Sequence, residues 1–197
     1  MTGSTAGGGA QLSSRSRKPT NNEPPKSGGA DKISYADSLG DELTERTLFE
    51  LAAFRDSLEL GDGDPNFPQV GGIYGEVATV QGFERHHIPS NAVQDDSKNN
   101  LPIILISKED HALTDSYRWK QKSVYKPFLP SAIESKSHRE EVASAIDQGN
   151  YFEVVRNEIY NIIDRCGHRY DGAIKQYFAA LEAYLRKNGV PSAVHKG

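Results

Sequence analysis

Gly82-Phe83-Glu84-Arg85-His86-His87-Ile88-Pro89 carries two adjacent histidines, and the later Ser107-Lys108-Glu109-Asp110-His111 carries a third. Between them, Leu101-Pro102-Ile103-Ile104-Leu105-Ile106 is short, apolar and rich in β-branched residues, which predicts a buried strand. Ser107 then stands where a helix N-cap belongs. Asp110, three residues on, takes the acid position of a capping box with a shorter side chain than the usual glutamate. His111 falls in the first or second turn of that helix. The predicted order is a strand ending in His-His, a loop, a second strand, and a helix bearing the third histidine. Two strands and one helix can gather three imidazoles around one point.

Neutral imidazole is a common ligand for zinc and other divalent ions, and it is the side chain best suited to take a proton near pH 7. Successive residues on a regular strand face opposite ways. His86 and His87 can therefore serve one site only if the strand ends or bulges there, and Pro89 predicts an end. Any one of these histidines alone reads as an ordinary loop or helix-end residue. Together, with Glu84 before them and Asp110 beside the third, they read as a functional constellation, with Arg85 and Thr114 as further supporting residues.

The stretches ERHHIPS and ILISKEDHALTDSYRW resemble the HNH and endonuclease VII superfamily, the ββα-metal or His-Me finger nucleases. More narrowly, they resemble the HH-type nuclease domains of bacterial polymorphic toxins. The helical tail from Ile146 to Leu185 is similar to the helices C-terminal to the motif in those domains, and the resemblance covers roughly residues 70 to 187. It implies that His86 and His111 are metal ligands and that His87 is the general base. It further implies a divalent ion (Mg, Mn, Zn or Ni) as cofactor, DNA as substrate with RNA chemically possible, and a cognate immunity protein as partner. The implied protein is a bacterial effector, cytoplasmic or exported without a classical signal peptide. The asparagine of the HNH motif has no single counterpart, and Asn91, Asn99 and Asn100 are the candidates for orienting the base.

The expected fold class is α+β, a ββα-metal core embedded in a mainly helical domain. Apolar residues make up 36% of the chain and charged residues 25%, enough for one modest core. No apolar run is long enough to span a membrane, and the Gly/Ser/Thr-rich start lacks the apolar segment of a signal peptide. The lone Cys166 excludes an intramolecular disulfide and a cysteine-based zinc site, and reads as a small buried residue. Residues 1–34 read as a disordered tail or linker. Residues 35–66 form an acidic segment with a helix at about 41–58, whose stripe is Leu48, Leu51, Ala52, Phe54, Arg55 and Leu58. From Asp41 to Asp64 eight carboxylates face two arginines, more than the whole chain's net charge of −4 requires. That face reads as solvated, with a partner-binding or inhibitory surface as the alternative.

Residues 67–190 form the expected nuclease domain. Ile73, Tyr74, Val77 and Val80 predict a strand running up to the histidine pair, and Gly71-Gly72 lacks the pattern of a phosphate loop. In the polar loop of residues 88–100, Asp95 or Asp96 could approach a metal, though turn roles suit them better. After His111, Arg118, Lys120, Lys122 and Lys126 interleave with Tyr117, Trp119 and Tyr125 without an acid. Basic groups beside aromatics suit a phosphate backbone and exposed bases, so Arg118, Trp119, Lys120, Lys122 and Lys126 are the candidate nucleic-acid contacts. Further helices are expected at Glu140–Asp147, at Tyr151–Arg165 and, after a turn at Gly167 and Asp171-Gly172, through about Asn188. They should pack the small sheet, which is too slight to stand alone. The competing reading is a non-catalytic, metal-stabilised module that binds nucleic acid or protein. The absence of an evident fourth ligand disfavours it.

Overall fold

The computed structural model describes residues 35–116 and 132–194. The candidate contacts Arg118, Trp119, Lys120, Lys122 and Lys126 and the tail of residues 1–34 lie outside the described residues. The elements in chain order are α1 (Tyr35–Ser57), β1 (Gly71–Ile73), β2 (Phe83–His87), β3 (Pro102–Ser107), α2 (Lys108–His111), α3 (Ala132–Asp147), α4 (Tyr151–Cys166), a 3-10 turn (Gly167–Tyr170) and α5 (Asp171–Asn188). The architecture is mixed, a mainly helical body carrying one small antiparallel sheet. No described helix is long and apolar enough to cross a membrane.

The apolar run becomes β3, the central strand of order β1-β3-β2, with every residue from Pro102 to Ser107 buried. Burial on both faces explains why its sequence is continuously apolar rather than alternating. β2 pairs with it in unbroken antiparallel register, from Phe83 opposite Ser107 to His87 opposite Ile103. The strand predicted from Ile73 to Val80 does not form. β1 stops at Ile73 and the chain turns between there and β2. Gly71 lets β1 lie directly on the backbone of α5. A Cβ at Gly71 would sit 2.3 Å from the Ala173 carbonyl oxygen and 2.6 Å from the Tyr177 nitrogen.

The helices bury periodic stripes against the sheet and one another. On α5 these are Ala173, Ile174, Tyr177, Phe178, Leu181, Tyr184 and Leu185; on α4, Tyr151, Val154, Val155, Ile159 and Ile162. α1 is longer at its start than the 41–58 expectation, and Leu48, Leu51 and Phe54 join the same core. The Phe54 ring meets Phe152, Tyr160 and Phe178 edge-on. α3 begins at Ala132 rather than Glu140 and supplies Val142, Ala143 and Ile146. Cys166 is buried, which pushes its thiol up to about 11, with Asp110 adding to the shift.

The loop between β2 and β3 is long, yet phenol groups from the helices hold it. Tyr177 donates to the Ile88 carbonyl at 2.6 Å, Tyr151 to Gln94 at 3.2 Å, and Tyr184 to Asp96 at 2.9 Å. The chain after α5 returns to the same loop, where Gln94 bridges Ala193 and Asp95 N–H donates to the Ser192 carbonyl. α4 and α5 thus fix the segment that leaves the histidine pair.

Candidate functional site

β2 is an edge strand among the described residues, and the ordinary pleat sorts its side chains. Glu84 and His86 face one way, Arg85 and His87 the other. The strand neither bulges nor ends between the histidines, since both keep their partners on β3. A cavity of about 580 Å³ nevertheless takes in both faces, lined by Glu84, His86 and His111 on one side and by Arg85, His87 and Tyr74 on the other. An edge strand permits this because, among the described residues, no further strand covers its outer side.

On the first face, His111 Nδ1 stands 2.6 Å from Glu84 Oε2. A carboxylate only accepts, so Nδ1 carries the proton and Nε2 is the nitrogen with a lone pair to offer a metal. The His86 ring meets that of His111 edge-to-face, with centroids 4.6 Å apart. His86 Nε2 lies 3.5 Å from Ser116 Oγ. His86 is 3% exposed, and burial, then the nearby His111 and His87, hold its imidazole well below its ordinary pKa. It is therefore neutral, the form a metal requires.

On the second face, His87 Nε2 lies 3.0 Å from the Lys98 carbonyl oxygen. The carbonyl only accepts, so Nε2 carries the proton and Nδ1 is the basic nitrogen. The ring stacks on Tyr74 at 4.8 Å and 13°. The Arg85 guanidinium lies 3.8 Å from the centre of the Tyr74 ring and donates to the carbonyls of Tyr74 and Val77. The residue orienting His87 is thus Lys98, through its backbone. Among the described residues no hydrogen bond joins an asparagine candidate to His87: Asn91 lines the same cavity, the Asn99 carbonyl accepts from Gly75 N–H, and Asn100 donates to Asp96.

Two other candidates hold the scaffold instead. Asp110 turns away from the imidazoles: its carboxylate accepts from Arg169 and, at 2.6 Å, from the Tyr170 hydroxyl. Ser107 Oγ accepts from Asp110 N–H, as an N-cap should, while Ser107 N–H donates to the same Tyr170 oxygen at 3.0 Å. A glutamate would close this capping box directly; with the shorter aspartate the tyrosine hydroxyl spans the gap. Thr114 donates to the His111 carbonyl at 2.9 Å and finishes the turn after α2. Asp96 is likewise committed to Tyr184, Asn100 and the Ser97 amide. His168 sits in the 3-10 turn beside Asp171.

No family model, curated protein or solved structure matches this chain. Among the described residues no group of three or more His, Cys, Asp or Glu side chains forms a metal cage. His86 and His111 are two nitrogen donors. Imidazoles sharing one ion at about 2.1 Å per bond have ring centres roughly 4.5–5.5 Å apart, in keeping with the separation here. Their chemistry fits an ion held by two protein nitrogens, with other positions left to water and substrate.

Sequence reasoning missed Tyr74, Lys98, Lys108, Ser116 and the scaffold pair Arg169–Tyr170. Nothing local marks them, since each acts through a residue distant in the chain. Glu158 did carry a signal: it lies between Val155 and Ile159 on the apolar stripe of α4.

Proposed function

We propose that this protein is a metal-dependent endonuclease that hydrolyses phosphodiester bonds in DNA. The observation that carries the reading is one cavity shared by an oriented imidazole base and a pair of metal-competent imidazoles. His87 is held by Lys98 and Tyr74, while His86 and His111 lie edge-to-face with Glu84 behind them.

His86 and His111 would hold a divalent ion, which supplies neutralisation of charge on the phosphate and the departing oxygen. His87 Nδ1 takes a proton from a water as the water oxygen attacks phosphorus; the bond from phosphorus to the departing oxygen breaks, and solvent protonates that oxygen. The Lys98 carbonyl keeps the imidazole in the tautomer that can accept this proton and steadies the imidazolium that results. Glu84 keeps His111 in the tautomer that offers Nε2. Arg85, Lys98 and Lys108 line the cavity with positive charge that suits a polyanion, locally offsetting the chain's net −4.

The test is cleavage of a supercoiled plasmid, and of a matched RNA, with divalent ion or chelator, alongside calorimetric metal titration. His87→Ala should abolish cleavage and leave metal binding nearly intact, whereas His86→Ala and His111→Ala should each weaken the metal about tenfold or more. Loss of metal by His87→Ala as severe as by His111→Ala would overturn the assignment. Cleavage that persists in chelator would overturn the metal dependence.

A further inference from the structure

Resting on the nuclease reading, a second role falls to Lys98. Its backbone carbonyl holds His87 at 3.0 Å, and its exposed side chain lines the same cavity. Its ammonium stands 5.5 Å from the centre of the Tyr74 ring, the ring on which His87 stacks. One residue therefore touches the base through its backbone and stands over the base's neighbour through its charge.

That charge has no carboxylate within 4.0 Å among the described residues, and neither do Arg85 and Lys108. Elsewhere among the described residues Arg55, Arg156, Arg165, Arg169, Lys175 and Arg186 pair with acids, while Arg46, which donates to the Gly149 carbonyl, Arg139 and Lys187 do not; what sets Lys98 apart is its place beside His87. Arg85 is committed to the Tyr74 and Val77 carbonyls, where it braces the turn before β2. Lys98 makes no such commitment. It sits on a loop whose Asp96 is fixed to Tyr184 and whose Gln94 is fixed to Tyr151, so its placement near the imidazole is built in rather than left to a mobile tip.

We propose that Lys98 is a specificity-determining residue that binds the phosphate next to the scissile one, so that the site favours a polynucleotide over an isolated phosphodiester. A polynucleotide brings a second anion alongside the reacting one, and on the His87 side the Lys98 ammonium can receive it while the Arg85 guanidinium is engaged with the Tyr74 and Val77 carbonyls. Contact there also steadies the residue whose carbonyl orients the base. Binding energy from a non-reacting part of the substrate thereby enforces the reacting geometry, which raises kcat as well as lowering KM.

The experiment compares an oligonucleotide with bis(p-nitrophenyl) phosphate, a diester with no second phosphate, for wild type, Lys98→Gln and Lys98→Arg with the same divalent ion. Lys98→Gln should lower the ratio of kcat/KM on oligonucleotide to that on the small diester about tenfold or more, with part of the loss in kcat, and Lys98→Arg should restore most of it. A second arm needs no metal: fluorescence anisotropy of a labelled duplex in chelator, where Lys98→Gln should reduce the log–log salt slope by about 0.9. An unchanged ratio and slope in a wild-type-active background overturns the Lys98 role alone. Wild type inactive on both substrates with every divalent ion tried overturns the nuclease reading, and this role with it.

Discussion

Replacing Glu158 by glutamine should make the protein more stable, and by an amount that grows with pH. Glu158 sits on the buried stripe of α4, 7% exposed, and among the described residues neither carboxyl oxygen has a hydrogen-bond partner. The Ser90 backbone amide is close enough to favour the charge, and by more than Asp115 opposes it, but makes no well-formed bond. Burial dominates and raises the carboxyl from 4.5 to about 8, with Asp115 adding to the rise. In the unfolded chain the same group ionises near its ordinary value. Below that value both states hold the proton, and there is no penalty. As pH rises from about 4.5 to about 8, the unfolded state releases the proton while the folded state keeps it, so stability falls across this window. Above it the loss is complete. At about 1.36 kcal/mol per pH unit the full loss approaches 5 kcal/mol, and about 3–5 kcal/mol is the expected range. Glutamine has the same shape and no charge at any pH. The two proteins should therefore have similar urea midpoints near pH 4.5, and Glu158→Gln should lead by several kcal/mol at about pH 8, a difference of roughly 6–20 °C in Tm. Taking the difference between variants matters, because His86 contributes an opposite slope. Its depressed pKa removes stability as pH falls below the unfolded value, and this cancels in the comparison. Parallel stability curves, or a variant weaker than wild type in the alkaline range, would refute the reasoning.

Tyr170→Phe keeps the ring against Phe67 but removes the hydroxyl shared by Ser107 N–H and Asp110. It should cost about 1–3 kcal/mol in urea unfolding, and a loss under about 0.5 kcal/mol would show that the relayed cap contributes little. Gly71→Ala drives a methyl into the Ala173 carbonyl and the Tyr177 nitrogen, both backbone atoms that cannot rotate away. A destabilisation of about 1–3 kcal/mol or more is expected from overpacking, and an unchanged denaturation midpoint would show that β1 can lift from α5 freely.

Residues close together in the chain settled the elements among themselves. The β-branched run from Ile103 to Ile106 could only be a buried strand, and Ser107 could only cap the helix beginning at Lys108. The spacing of Ile159, Ile162, Tyr177, Leu181 and Leu185 marked two amphipathic helices. The alternation of the pleat even required that His86 and His87 point apart unless the strand broke. Tertiary structure decided whether that mattered. Because β3 is central and β2 lies at the edge, the two histidines reach one cavity from opposite faces with no bulge at all. It also decided every partner remote in the chain: the Lys98 carbonyl for His87, Tyr170 for Asp110, and the helix phenols for the loop between β2 and β3. A hydrogen bond is set by position in space, and local periodicity carries no record of which distant residue arrives there. The same reason separates Asp110 from His111, its neighbour in sequence: adjacent residues on a helix point roughly 100° apart, and the direction Asp110 takes lies within reach of Arg169.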